Sequence, residues 1–295
     1  MNKMWRRKAL SRAMTLLTTI AAILAIVALF SVIGQIAVTG FKQLDLSFLV
    51  NTPKPVGQPN SGIANAIVGT LILIGVASAI GLPVGIFAGI YLAEFGSNRL
   101  GTFLRFLTDS LTGVPSIIVG VVAWSMIVKP MGHFSAFAGG VALSIIMMPI
   151  VARTTEEMIR LVPQNLREAA LALGAPVWRV SLGVVLRSAA SGVATGAILA
   201  IARIAGETAP LLFTALSYND MSTSLDQPIA SLTYQIYYYA GSPYEEWHAK
   251  AWAATLVLVG MILIINIAVK AMARNKFQQQ STTQRDRKRA KICKP

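Results

Sequence analysis

Residues 188–216 read SAASGVATGAILAIARIAGETAPLLFTAL, an apolar stretch long enough to cross a lipid bilayer as one helix. Two charged residues, Arg203 and Glu207, interrupt it near its middle. A charged side chain at bilayer depth costs about 2.5–3.5 kcal/mol on insertion scales, so such side chains are paired or face water. Four residues apart on a helix, Arg203 and Glu207 are expected on one face, where they neutralise each other and line a path for an anion.

The composition of the whole chain is typical of a membrane protein. Of its 295 residues, 55% are hydrophobic and 13% are charged, whereas soluble domains carry about 25% charged residues. The net charge of +14 lies in segments that flank apolar stretches, which argues against a nucleic-acid-binding face. A single cysteine, Cys293, excludes an intrachain disulfide, and His133 and His248 lie far apart, so we expect no metal site and no cofactor.

Six apolar stretches predict an all-α polytopic membrane protein with six transmembrane helices, because a spanning segment must satisfy its own backbone hydrogen bonds. The predicted spans are residues 13–39, 63–92, 114–130, 136–152, 188–216 and 251–272. They form one domain, residues 13–276, between a basic N-terminal arm at 1–12 and a basic tail at 277–295. With both termini cytoplasmic, 21 of the 26 Lys and Arg residues lie inside and four outside, which favours this topology.

The predicted outside segments differ in character. Residues 40–62 hold three prolines and form a stiff connection, whereas residues 217–250 are rich in tyrosine. These aromatic residues form either a belt at the membrane interface or an external lid or docking surface. Glycines at intervals of four residues in the second and fifth spans indicate close helix packing; they are Gly81, Gly85, Gly89, Gly192 and Gly196.

The inside segment 153–187 predicts two short helices at the membrane surface. Pro163 suits the first turn of a helix, Gly174 suits a left-handed stop, and Pro176 prevents the helix from continuing. We therefore expect a helix, a glycine break and a second helix in this segment.

Glu168-Ala169-Ala170, followed by Gly174, resembles the EAA loop of bacterial ABC importer permeases. In that family the loop forms a coupling helix that docks in a cleft of the ATP-hydrolysing subunit, so residues 153–187 are named the coupling loop. The small alanines allow close approach, and Arg167 is expected to pair with Glu168 at the rim. The family often ends this loop with Ile-x-Leu-Pro, and Arg187 stands here in place of the proline, which affects the exit geometry rather than the docking.

Further stretches resemble the PstA-type permease subunits of bacterial phosphate ABC importers, and the resemblance covers about residues 60–270. They are GIFAGIYLAE (85–94), VPSIIVG (114–120), PIVARTTE (149–156) and LAIARIAGETAPLLFTAL (199–216). The resemblance implies a MetI-like permease fold in the bacterial plasma (inner) membrane. It implies half of a pore, paired with a PstC-type sister permease, a dimer of ATP-binding cassette subunits and an external phosphate-binding protein. Because the sequence has no Gly-x-x-x-x-Gly-Lys-Ser/Thr motif, we expect a partner to hydrolyse ATP and this chain not to be an enzyme.

The candidate site residues form two groups. The substrate-pathway group is Arg203, Glu207, Arg153 and Thr208, and the ATPase-coupling group is Arg167, Glu168, Ala169, Ala170 and Gly174. Arg203 can offer a two-donor fork to phosphate, while Glu207 accepts a hydrogen bond that protonated phosphate donates and sulfate cannot. Alternatively, the pair fixes helix packing, and Arg153 is an interfacial anchor. Three acidic residues near inside span ends are expected to form structural pairs; they are Glu94, Asp109 and Glu156.

Other functions stay open from the residues alone. The chain could import another oxyanion, such as sulfate, molybdate or phosphonate, or it could be a membrane phosphate sensor. In the sensor interpretation the basic tail would contact a signalling partner, whereas otherwise it lies at anionic membrane lipid. A membrane-embedded enzyme is disfavoured because the predicted spans hold no cysteine and no pair of histidines or aspartates.

Overall fold

The computed structural model describes the backbone of residues 2–292 and the side chains of residues 4–8 and 10–271. Within these ranges the chain consists of helices and connecting loops, with no strand. Two π-helical turns, Trp124–Val128 and Ser181–Val185, continue directly from α5 and α9. The helices are α1 (Asn2–Gln43), α2 (Leu46–Val50), α3 (Ala64–Glu94), α4 (Arg99–Gly113), α5 (Ser116–Ala123), α6 (Lys129–Met131), α7 (Ala136–Arg160), α8 (Gln164–Ala172), α9 (Val177–Val180), α10 (Leu186–Ala205), α11 (Ala209–Thr214), α12 (Leu232–Ala240) and α13 (Glu245–Ile292).

The all-helical class is confirmed for the described residues, and five to six candidate spans agree with the six that the sequence predicts. Five helices are long and apolar enough to cross a bilayer, and the bent pair of α4 with α5–α6 makes a sixth crossing if it is one span. Most helices extend beyond their predicted bounds; α7, for example, continues to Arg160. Cys293 and the side chains of the basic tail lie outside the described residues, so the role of the tail stays a prediction.

The third crossing differs from its prediction. Residues 99–113, predicted to be an inside connection, form the helix α4, and the chain bends by 105° before the helix that starts at Ser116. The bend has a local cause, since the residue before a proline is driven into an extended conformation. Val114, which precedes Pro115, has φ −72° and ψ 128°.

The fifth crossing was predicted as one helix to Leu216, and this prediction is wrong. Helix α10 ends at Ala205, three residues follow, and the short helix α11 starts at Ala209. Pro210 lies in the first turn of α11, where it cannot donate a backbone hydrogen bond to a preceding turn. The break therefore falls on the segment that carries Glu207 and Thr208.

The predicted glycine contacts are confirmed at the interface of α3 and α7. A Cβ at Gly85 would lie 2.7 Å from the Cβ of Val151, and a Cβ at Gly89 would lie 2.5 Å from the Cβ of Thr155. Only residues without a side chain allow backbones to approach this closely in a membrane bundle. The sequence numbers of the contacting residues rise together, so α3 and α7 run in the same direction.

Helix α10 packs on α7 in the opposite direction. A Cβ at Gly192 would meet the side chain of Met158, and a Cβ at Gly196 would meet that of Thr154. Parallel packing of the second and fourth spans, with antiparallel packing of the fourth and fifth, is what alternating membrane crossings require.

An aromatic cluster lies at the ends of the spans that the sequence predicts to be outside. Tyr239 and Trp247 have ring centroids 5.2 Å apart, and Tyr238 and Tyr244 also pack against Trp247. Tyr238, Tyr239 and Trp247, together with residues 53–55, line a groove of about 490 Å³. The aromatic residues therefore form one packed structure with the proline-rich connection, rather than separate interfacial anchors.

Candidate functional site

Arg203 and Glu207 form an ion pair at the break between α10 and α11, in which Arg203 Nη1 donates to Glu207 Oε1. Their exposure is unequal, because the Arg203 side chain is 58% exposed and that of Glu207 is 7% exposed. The predicted contact is confirmed, but the predicted shared helical face is wrong, since α10 ends at Ala205 between the two residues.

The buried Glu207 is held by its backbone as well as by its side chain. Its amide donates to the carbonyl oxygen of Ile204 at 3.1 Å, which closes the last turn of α10. Its carbonyl oxygen accepts a hydrogen bond of 3.0 Å from the buried hydroxyl of Thr233. Thr233 belongs to α12, so the external segment contacts the ion-pair residue directly. Nothing in the sequence around Thr233 signals this role.

Arg203 also lines a small cavity of about 70 Å³ against the break between α4 and α5. Thr112 and Ser116 line it on either side of that break, and the remaining wall is apolar. The hydroxyl of Thr112 donates to the carbonyl oxygen of Thr108 at 2.9 Å. A cavity needs about 10–15 Å³ to hold one water molecule, so this one can hold several waters or a small ion. The sequence did not single out Thr112 or Ser116, because their placement depends on the bend.

The two helix breaks are in contact with each other. A Cβ at Gly120 of α5 would lie 2.6 Å from the Cα of Pro210 in α11, so the two short helices pack backbone to backbone. Thr208, the third predicted pathway residue, is half-buried at the start of α11, where its carbonyl oxygen accepts from Leu211 at 3.1 Å. Broken helices that meet at membrane depth are a recurring design of ion and substrate sites in transporters.

Arg153 is not among the residues that line the Arg203 cavity. Its Nε donates to Glu157 Oε1 at 2.9 Å, and its Nη1 lies 3.9 Å from Asp109 Oδ1. The neighbouring Thr154 donates to the carbonyl oxygen of Ile150 within its own helix. Two acidic groups therefore already offset the charge that was predicted to receive an anion.

The coupling loop has the predicted form of a helix, a glycine break and a second helix, α8 and α9. Gly174 has φ +76°, the left-handed conformation in which other residues are strained. Glu168 and Ala169 are exposed, and Ala170 is half-buried against the apolar core. Large apolar side chains are exposed beside them, an apolar surface that the sequence analysis missed; they are Leu166, Leu171, Leu173, Val177 and Trp178. An exposed apolar surface of this kind marks a site that contacts either another protein or the membrane.

The predicted pairing of Arg167 with Glu168 is wrong. Consecutive helical residues point in different directions, and Arg167 turns inward, where its Nη2 donates to Glu94 Oε1 at 2.7 Å. The predicted structural pairing of the acidic residues is confirmed, since Glu94 pairs with Arg167, Asp109 lies near Arg153 and Glu156 pairs with Arg105.

Comparison with known proteins agrees with this architecture. Residues 81–278 match a family described as binding-protein-dependent transport system inner membrane component. The chain is 42% identical over 273 residues to the phosphate transport system permease protein PstA of Yersinia pestis, covering 92% of each chain. It is 38% identical over 252 residues to a probable PstA of Methanocaldococcus jannaschii, covering 84% of this chain and 88% of the other. A solved chain from the inward-facing MetNI methionine ABC transporter superposes with a TM-score of 0.56 at 23% identity, covering 72% of this chain and 94% of that chain.

Proposed function

Since this chain belongs to the family of binding-protein-dependent transport system inner membrane components, we propose that it is the permease subunit of an ATP-driven importer of inorganic phosphate. The relatives named as phosphate transport permeases match it over nearly their whole length, which supports phosphate as the cargo. The chain forms half of the anion pathway, and a sister permease of the PstC type supplies the other half.

The observation that carries this proposal is the exposed Arg203 beside the buried Glu207 at a helix break. Arg203 lines a cavity whose other polar lining residues are Thr112 and Ser116. A guanidinium group binds two oxygens of a phosphate at once, and hydroxyl groups can supply further hydrogen bonds. The pairing with Glu207 limits the cost of burying the charge when the pathway is empty.

Glu207 supplies the discrimination between oxyanions. Its carboxylate accepts hydrogen bonds only, so it is complementary to the hydroxyl of HPO₄²⁻ or H₂PO₄⁻ and repels fully ionised sulfate. A site that requires a hydrogen bond from its substrate can reject an analogue without that donor by a large factor. Thr208, which follows Glu207 directly, belongs to the same pathway. Arg153 receives the anion at the inner end of the fourth span.

The coupling loop connects this pathway to ATP hydrolysis. Its exposed surface around Glu168, Ala169 and Gly174 docks the ATP-binding cassette subunit, and the apolar side chains beside it enlarge the contact. ATP is hydrolysed by that partner, since the sequence lacks the phosphate-binding loop that ATP hydrolysis requires. Both termini lie in the cytoplasm, and an external phosphate-binding protein delivers the anion to the opposite side.

Uptake of labelled phosphate and labelled sulfate tests the proposal, with the chain expressed beside its sister permease, ATPase and binding protein. We expect phosphate uptake that depends on ATP, and a loss of at least about tenfold in Arg203→Gln. Arg203→Lys keeps the charge without the fork and should retain part of the uptake. Glu207→Gln should lower the ratio of phosphate to sulfate uptake. The amide of glutamine can donate a hydrogen bond to sulfate and can also accept one from phosphate, so it no longer rejects sulfate.

Each contrary result has a distinct meaning. Uptake of sulfate in place of phosphate by the unmodified complex would identify an importer of another oxyanion. No uptake of either ion by an assembled complex would favour the sensor function. Full uptake by an assembled Arg203→Gln complex would leave the ion pair with a role in packing only.

A further inference from the structure

Two arginine–glutamate pairs link α3 and α7 at the end of the bundle that carries the coupling loop, and we name them the crossed ion pairs. Each arginine lies on the helix that follows one of these spans and pairs with a glutamate on the other span. Arg105, on the helix after α3, pairs with Glu156 of α7, and Arg167, on the helix after α7, pairs with Glu94 of α3. Glu94 and Arg105 are as far apart in sequence as Glu156 and Arg167.

The first crossed pair closes the end of α3. Arg105 Nε donates to Glu156 Oε1 at 2.7 Å, and its Nη groups donate to the carbonyl oxygens of Gly96 and Leu92 at 2.8 and 2.6 Å. These carbonyls lie at the end of a helix and lack intrahelical partners, so the guanidinium donates the hydrogen bonds that they would otherwise lack. Its positive charge is also favourable at the negative end of the helix dipole. The pair therefore fastens α4 to α3 and α7.

The second crossed pair closes the end of α7 in the same way, but it involves the coupling loop. Arg167 donates to the carbonyl oxygens of Ile159 and Val162, each at 3.1 Å, and to Glu94 at 2.7 Å. The other carboxylate oxygen of Glu94 accepts a hydrogen bond of 3.1 Å from Ser181, a buried residue in the π-helical turn before α10. The side chains of Arg167 and Glu94 are 16% and 10% exposed, so water screens this pair little.

We propose that Arg167 is a positioning residue, which acts through Glu94 to fix α8 to the ends of α3, α7 and α10. A force that the ATPase applies to α8 then moves these three spans together, and Arg167 does not itself contact the ATPase. This inference rests on the proposed function, in which the coupling loop docks the ATPase.

Apolar packing beneath the pair supports this role. Ile90, Ile159, Val180 and Val193 belong to one buried cluster at this end of the bundle, and Ala170 of α8 packs against it. Because the side chain of Ala170 is small, α8 buries little apolar area of its own. The ion pair and hydrogen bonds of Arg167 therefore contribute a large part of what fixes the orientation of α8. The exposed face of α8, with Glu168 and Ala169, is left free for the partner.

The experiment uses the complete complex in liposomes and measures phosphate moved per ATP hydrolysed, together with the amount of complex assembled. We expect Arg167→Gln and Glu94→Gln to lower this ratio by similar factors, between about two- and thirtyfold, as for other residues that couple distant sites. The exchange Glu94→Arg with Arg167→Glu should recover part of the loss. Arg105→Gln is the control, since it removes the arginine of the other crossed pair while Glu156 keeps Arg160 at 2.6 Å, and it should reduce assembly without changing the ratio.

Two results would overturn the proposal. A loss in Arg167→Gln with a normal Glu94→Gln would make Arg167 a direct contact of the ATPase. An unchanged ratio in every assembled variant would limit the pair to stability.

Stimulation of ATP hydrolysis by the loaded binding protein, measured on the same samples, reports coupling whichever oxyanion is carried. Failure of phosphate uptake in the unmodified chain therefore counts against the proposed function and not against the positioning role.

Discussion

At the scale of single residues, two arginines of this chain each bind a carboxylate and also hydrogen-bond the end of a helix, which a lysine could not do together. Arg105 and Arg167 each bind a carboxylate and the open carbonyl oxygens at a helix end, which requires several donors in a fixed plane. Arg203 has one carboxylate partner and is more exposed than either of them. Hydrogen bonds to carbonyl oxygens and lower exposure thus distinguish Arg105 and Arg167, which hold helix ends together, from Arg203, which lines a cavity.

A histidine in the loop before α7 predicts a dependence of local stability on pH. His133 contacts Asp226 Oδ1 at 3.2 Å through Nε2 and the carbonyl oxygen of Met131 at 3.0 Å through Nδ1. Both partners accept hydrogen bonds, and the bond to Asp226 is the main cause that raises the pKa of His133 above its ordinary value. The contact of protonated His133 with Asp226 is fully formed below about pH 6.5, and it is lost as the pH rises through the raised pKa of His133.

We therefore expect residues 217–231 to exchange amide hydrogens faster, after correction for intrinsic rates, as pH is raised from about 6 to 8. Hydrogen exchange read by mass spectrometry on the detergent-solubilised chain measures this change. His133→Gln should remove most of the pH dependence, with exchange close to the high-pH level throughout. The same pH dependence in the variant would show that another group controls the loop.

At the scale of helices, the sequence predicted which segments are helical better than where they break. Apolar length and glycine spacing identified the spans and the contact face of α3, since both properties are local. The predicted third span began at residue 114, so the sequence analysis placed that boundary but missed the helix α4 before it. The break at Gly206–Thr208 was missed because apolar residues flank it on both sides, in a stretch long enough for one span. The cavity of Thr112, Ser116 and Arg203 depends on both breaks, which is why sequence alone identified only its arginine.

The contact of α3 with α7 predicts a difference between two glycines of α3. A Cβ at Gly85 would lie within 3.0 Å of Val151 and of the backbone of Met148, whereas a Cβ at Gly75 would meet nothing within 4 Å. We expect Gly85→Val to destabilise the chain by about 1–3 kcal/mol, since overpacking forces the helices apart. Thermal unfolding of the purified chain measures this. Gly75→Val is the control, and an equal loss in both variants would contradict the packing argument.

At the scale of the whole molecule, the distribution of charge and the packing directions of the helices support one topology independently. The excess of Lys and Arg on one side predicts which side is cytoplasmic, whereas the parallel contact of α3 with α7 shows only that these two helices run in the same direction. Family resemblance supplied what neither could, namely the role of the coupling loop. The ion pair of Arg167 with Glu94 beside the coupling loop was not predictable, because the two residues are distant in sequence and meet only after α3 and α7 pack.

The topology predicts opposite accessibility for two exposed loop positions. In a chain with Cys293→Ser, a cysteine introduced by Thr223→Cys should react with a membrane-impermeant thiol reagent added outside cells. A cysteine introduced by Asn165→Cys in α8 should react only after the membrane is opened. Both positions are exposed, so a difference in labelling reports sidedness rather than burial. Labelling of Asn165→Cys from outside would reverse the assignment of the termini.

The exposure of Arg203 has a consequence for the biogenesis of this protein. Within the single chain the guanidinium lies largely on the surface, at a depth where lipid tails solvate charge poorly. A chain inserted without its partner carries that cost until a second subunit encloses the charge. We expect the orphan chain to be degraded faster by membrane proteases than the assembled chain, so that its abundance in the cell follows the synthesis of its partner.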